Sequence, residues 1–105
     1  MCYSIEEIRQ AVGRAIKAYN ARATVDAQIR QVSLFGSYAD GCADDDSDVD
    51  LLVSFSSPIV SFFTLGRALE AMEEHLDVPV DLVQDPLPHD ALLDIKKKVP
   101  LYEAA

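Results

Sequence analysis

The stretch LFGSYADGCADDDSDVDLLV, residues 34–53, decides how this chain is read. An apolar run stops at Gly36, a small and polar segment follows, and a second apolar run opens at Val49. Two aspartates, Asp48 and Asp50, straddle that valine, and Asp44, Asp45 and Asp46 stand just before them. Two carboxylates about 4 Å apart repel by roughly 4 kcal/mol at an effective dielectric near 20. A fold keeps such a group only where water solvates the charges or a cation sits between them.

Alternation separates the two cases. Side chains on a strand point to opposite faces in turn, so Asp48 and Asp50 share a face while Val49 and Leu51 point into the core. At that spacing, about 7 Å along the strand, two carboxylates can share divalent cations. Asp81 repeats the pattern as a single acid inside Val80-Asp81-Leu82-Val83. If those two strands are neighbours, three carboxylates gather at one sheet edge, a two-metal site of the kind that promotes in-line phosphoryl transfer. Gly36-Ser37 closes the preceding strand. Its glycine lets backbone N–H groups approach a phosphate, and its serine adds a hydroxyl donor. Asp44 to Asp46 interrupt no apolar run and read as solvated loop charges.

Outward from this stretch, Ile29 to Phe35 reads as the first strand and Val49 to Phe55 as the second, broken by Ser56-Ser57-Pro58. Between them, Gly36 to Ser47 is a loop or a short helix. Upstream, Ser4-x-x-Glu7 matches a capping box, and Ile8, Val12, Ile16 and Tyr19 recur every three or four residues. This predicts a helix over about residues 4–22, with Gly13 a mild weakness. Downstream, Phe62, Leu65, Leu69, Met72 and Leu76 step by three and four, which predicts a helix over 61–76. Val80 to Val83 is a short third strand and Asp85-Pro86-Leu87-Pro88 a turn. Leu92, Ile95 and Val99 mark a final helix ending near Pro100, with Lys96 to Lys98 complementing its dipole. The order α–β–β–α–β–α predicts an α/β (α+β) fold, a small mixed β-sheet flanked by helices, in a single domain over 1–105.

Composition bounds the function classes. Half of the 105 residues are apolar, enough for one core. The net charge of −9 disfavours direct nucleic acid binding, which draws its affinity from Lys and Arg. A small anionic ligand remains open if a divalent metal brings positive charge. No apolar run approaches the ~20 residues of a membrane span. The start, Met1 to Glu7, lacks the basic flank and apolar stretch of a signal peptide, so the expected location is cytoplasmic, with Cys2 and Cys42 as free thiols. No Walker A or dinucleotide glycine pattern occurs. An EF-hand beginning at Asp46 fails, because Leu51 and Ser57 occupy its glycine and glutamate positions. His75 and His89 need no special role, and Tyr38, Phe62 and Phe63 read as core or interface aromatics.

Gly36-Ser37, ten residues, then Asp48-Val49-Asp50 resembles the GSx10DxD signature of minimal nucleotidyltransferases (MNT domains) of the DNA polymerase beta superfamily. The likeness runs on through Ser47 to Val53, the Phe62–Leu65 helix, Val80 to Val83 and Val99-Pro100-Leu101-Tyr102-Glu103, about residues 29–103. The resemblance implies a polymerase beta-like nucleotidyltransferase fold. It implies that Gly36 and Ser37 hold the β- and γ-phosphates of ATP or another nucleoside triphosphate. It further implies that Asp48 and Asp50 bind Mg2+, two ions in all, and that Asp81 completes the metal site and activates the attacking hydroxyl. Such domains are similar to the antitoxin half of a toxin–antitoxin pair whose partner is an all-helical HEPN protein, and some transfer AMP onto a tyrosine of that toxin. One departure stands out: Asp40 occupies a place where many relatives carry Arg.

The function expected from this reading is transfer of AMP from ATP to an acceptor hydroxyl on a HEPN partner. The alternative is a catalytically silent subunit that neutralises a helical partner by binding. Transfer to a small molecule such as an aminoglycoside ranks last, because related larger enzymes add a second domain for that acceptor.

Overall fold

The computed structural model describes residues 3–41, 47–84 and 98–104. The first helix, α1, spans Ile5–Asn20, and its start is fixed by the predicted capping box. Ser4 Oγ accepts from the Glu7 N–H (3.1 Å), while Glu7 Oε1 accepts from the Ser4 N–H (2.9 Å). Its far end is set by Asn20, whose side chain turns away to pair with both backbone groups of Ile29 (2.8 and 3.1 Å). A single 3-10 turn, Val25–Ala27, leads into β1, Ile29–Phe35. The segment after β1 opens as a short helix, α2, over Gly36–Asp40, ended by Gly41 in the left-handed region. β2 spans Val49–Phe55, α3 Phe62–His75, β3 Val80–Gln84 and β4 Val99–Glu103.

The four strands form one mixed sheet in the order β3-β2-β1-β4. β1 is antiparallel to β2 and β4, and β2 is parallel to β3. The parallel pair needs a crossover, and α3 supplies it. α1 and α3 pack on each other and cover one face of the sheet. Ile8, Val12 and Ile16 of α1, Ala68 and Met72 of α3 and Leu76 just after it meet Val32 and Leu34 of β1 and Val49, Leu51, Val53 and Phe55 of β2. Burying each large side chain of this set contributes about 1.5–3 kcal/mol. The α+β fold with a mixed sheet therefore stands as expected, with β1 and β2 at the predicted bounds.

Two expectations change. Val99 and Pro100 belong to β4, not to the end of a helix. The segment pairs with β1 at the sheet edge, where Pro100 is tolerated because an edge strand need not donate to both sides. Lys98 is accordingly an exposed residue just ahead of β4. Lys96, Lys97, Leu92, Ile95 and the turn at Asp85–Pro88 lie outside the described residues, as do Cys2, Cys42, Asp44 to Asp46 and His89. The second change concerns Phe62, placed by periodicity at the head of the apolar stripe. It is 91% exposed, because it is the first residue of α3, one turn before the helix reaches the core at Leu65 and Ala68. Phe63 is exposed as well, whereas Tyr38 is buried in the core.

Candidate active site

Parallel pairing of β2 with β3 places Asp50 in register with Asp81, between Val49↔Val80 and Leu51↔Leu82. In-register neighbours on adjacent strands lie about 4.8 Å apart and point to the same face. That face is the one away from the helices, since Val49, Leu51 and Val80 occupy the helix side. Asp48 precedes β2 by one residue and is exposed; Asp81 is exposed and Asp50 is half-buried. The loop before β3 is pinned at this point, because the Val49 N–H donates to the Pro79 carbonyl (2.9 Å). That bond sets the height of Asp81 against Asp50.

The electrostatics follow from this crowding. Burial, then the negative charges of Asp81 and Asp48, push the Asp50 carboxyl above its ordinary value. Each cause disfavours the carboxylate form, and a cation beside the carboxylates would favour it. Among the described residues, no three His, Cys, Asp or Glu donors form a ready-made metal cage. The arrangement is an open one: Asp50 and Asp81 in register on adjacent strands, with Asp48 just before β2.

The glycine turn comes to the same place from β1. Phe35 is the register partner of Asp50, so Gly36 begins where the Asp50 carboxylate ends. Gly36 has φ of +74°, a conformation L side chains rarely adopt. A Cβ at Gly36 would collide with Asp50 Oδ2 and come within 3.0 Å of its Cγ. The glycine is thus required twice over, once by the backbone and once by the carboxylate packed against it. The sequence suggested a glycine that lets a phosphate approach; the contact with Asp50 has no sequence signal of its own. Ser37 follows at the start of α2 and is half-buried. All five predicted site residues, Gly36, Ser37, Asp48, Asp50 and Asp81, therefore lie at one end of the sheet. His75 lies outside this group, its Nδ1 held 2.9 Å from the Ala71 carbonyl within α3.

Hard oxygen donors in an open pair suit a cation that brings its own ligands. Mg2+ is usually held by one or two carboxylates together with substrate phosphates, so these residues fit Mg2+ with a polyphosphate better than a closed structural metal. Among the described residues, no helix is long and apolar enough to cross a membrane.

The chain is similar to known proteins in sequence and in fold. A Thermococcus cleftensis protein named protein adenylyltransferase MntA is 44% identical over 57 residues, which is 52% of this chain and 54% of that protein. The chain spans about half the length of the curated relatives it matches. Among solved structures, a toxin–antitoxin complex with AMP-PNP matches at a TM-score of 0.70 and 18% identity, over 91% of this chain and 73% of that one. A complex of tri-AMPylated Shewanella oneidensis HEPN toxin with MNT antitoxin matches at 0.60 and 18%, over 92% and 73%. At such identities the likeness is one of fold. The nucleotidyltransferase domain model matches residues 6–103, from α1 through β4, and on that match this chain belongs to the nucleotidyltransferase domain family.

Proposed function

We infer that this chain, as a single domain, is a Mg2+-dependent nucleotidyltransferase that moves AMP from ATP to a hydroxyl on a protein partner. The observation that carries this reading is the in-register placement of Asp50 beside Asp81, packed against the Gly36 turn. In this assignment Asp48, Asp50 and Asp81 hold Mg2+, as two ions. When bound, the metal neutralises the triphosphate charge and the charge building on the departing pyrophosphate. Backbone N–H groups at Gly36 and the Ser37 hydroxyl hold the β- and γ-phosphates. The acceptor oxygen attacks the α-phosphorus, and a new O–P bond forms as the bond to pyrophosphate breaks. Asp81, exposed at the mouth of the site, takes the proton from the attacking hydroxyl. Most of the acceleration comes from positioning and fixed charge.

The acceptor is assigned from two supports. The chain's net charge of −9 suits a basic protein better than a nucleic acid. Matched relatives are described as a protein adenylyltransferase and as an MNT antitoxin in complex with an AMPylated HEPN toxin. The partner is accordingly read as a helical HEPN-type toxin, neutralised in the cytoplasm by AMP transfer, with this chain as antitoxin. Isothermal titration with Mg·ATP tests the site, and the paired Asp48→Asn, Asp50→Asn variant should bind none. Binding unchanged in that variant removes the case for catalysis.

Asp40 favours a second reading. Asp40 stands where the family resemblance leads one to expect Arg, so this position does not supply the positive charge that would draw a triphosphate, which suits a subunit that neutralises its partner by complex formation alone. Mass spectrometry of the co-expressed partner separates the two. AMP units that appear only with Asp81 intact establish transfer, and an unmodified but inhibited partner establishes binding.

A further inference from the structure

The sheet has two ends, and the candidate active site uses one. Phe35 faces Asp50 at the carboxylate end, and Ile29 faces Phe55 at the other. β2 is seven residues long, which separates the ends by about 20 Å. Beyond the Ile29–Phe55 end, Ser56 N–H donates to the Gln28 carbonyl (2.9 Å) and Ser57 N–H to that of Asp26 (3.0 Å), tying the two connecting segments together. Every large hydrophobic residue found exposed among the described residues belongs to this end. Val25 precedes β1, and Ile59, Phe62 and Phe63 follow β2, with the two phenylalanines 91% and 84% in water.

The surface is shaped as well as apolar. One turn after the phenylalanines, Gly66 has nothing from the rest of the fold within 4 Å of where a Cβ would stand. Phe62, Phe63, Gly66, Arg67 and Glu70 line a concavity of about 370 Å3. Glycine inside a helix costs about 1 kcal/mol relative to alanine. Gly66 has no positive φ and no crowded neighbour to account for it. Past the notch, the exposed face of α3 carries Glu70, Glu73 and Glu74 against one cation, Arg67.

We propose that this end of the molecule docks an amphipathic helix of a basic partner protein. One apolar side chain of that helix seats over Gly66 beside the two phenyl rings, and its lysines or arginines run along Glu70, Glu73 and Glu74. A protruding side chain entering a gap framed by a facing helix is the ordinary geometry of helix packing, and an exposed apolar groove is how such helices are recognised. Charge selects the occupant. A second copy would bring the same acids and the same net charge of −9 to the contact, whereas a cationic helix complements them. Docking here leaves the Gly36 turn open, and it holds whether or not the carboxylate end transfers nucleotide.

The probe is a fluorescein-labelled helical peptide with leucines every three or four residues and lysines between them, titrated with the intact chain at physiological salt and read by anisotropy. The wild-type chain should bind it. Binding should weaken at least about 10-fold in Phe62→Ser with Phe63→Ser, the scale expected when the anchors of an interface are truncated. Gly66→Leu fills the notch while strengthening the helix, so a matching loss there cannot be traced to unfolding. A companion peptide with glutamate in place of lysine should not bind. Equal affinity in the variants, equal binding of the acidic peptide, or no binding by the wild type overturns the proposal. So does sedimentation showing a dimer that the double serine variant dissociates, because the face then belongs to a second copy.

Discussion

On one face of β2, Val49, Leu51 and Val53 are wholly sealed from water against α1 and α3. On the other face of the same strand, Asp50 stands half-buried with Asp81 in register beside it and Asp48 one step before the strand begins. The first face removes apolar area from water and contributes stability. The second crowds like charges, which disfavours the ionised form of Asp50. The difference shows how seven residues can present two unlike faces: alternation packs one against the helices while the other gathers acids, the side on which the proposed chemistry rests.

Substitutions should sort by face. The largest expected effect is on chemistry alone: Asp48→Asn with Asp50→Asn should abolish Mg·ATP binding by calorimetry and cut AMP transfer by at least about 100-fold, the scale of losing one preorganised charge-stabilising group. Its thermal midpoint should not fall. If it does, the carboxylates are structural and the division between faces fails. Next comes the helix side, where Met72→Ala in α3, fully buried, should cost about 2–5 kcal/mol in urea denaturation with nucleotide affinity unchanged in the folded fraction.

Gly36→Ala sits at the boundary and should touch both faces. A left-handed backbone at a non-glycine residue costs about 1–3 kcal/mol, and the added methyl would displace the Asp50 carboxylate. Lower stability and weaker Mg·ATP binding should therefore appear together. The smallest effect is Asp50→Asn measured by thermal unfolding across pH without metal. The folded-state value of this carboxyl is raised, so its contribution to stability is full at pH below the unfolded-state value and is lost as pH rises through the folded-state one. The asparagine variant should gain on the wild type over that rise and stay ahead at neutral pH. Adding Mg2+ with nucleotide should reverse the order. A gap that does not change with pH would mean the charges do not meet.

Much of this division was legible in the residues. β1 and β2 are dense in β-branched and aromatic side chains and end at Gly36 and at Ser56-Ser57-Pro58, so their bounds and their inward residues could be read directly. The pairing of Asp81 with Asp50 could be posed but not decided, because register depends on which strands become neighbours. β4 was hidden for a physical reason. Val99-Pro100-Leu101-Tyr102-Glu103 is a short edge strand with only Leu101 buried, too weak an alternation to compete with a helical spacing from Ile95 to Val99. α2 is shorter than any reliable period. Phe62 carried the stripe of α3 one turn too far, since periodicity reports a face of the helix and not where along it the core stops.

The crossover between β2 and β3 has a kinetic corollary. Asp48 and Asp50 are neighbours in the chain and share a face as soon as β2 forms, but Asp81 meets them only after α3 has been laid down and the parallel pair has zipped. Closing such a non-local contact is slow compared with forming a hairpin like β1–β2. On the proposed function, magnesium affinity should therefore emerge last during maturation of the chain. A nascent or partly opened molecule would keep its hairpin yet be unable to grip a nucleotide, so that competence for transfer reports on completed folding.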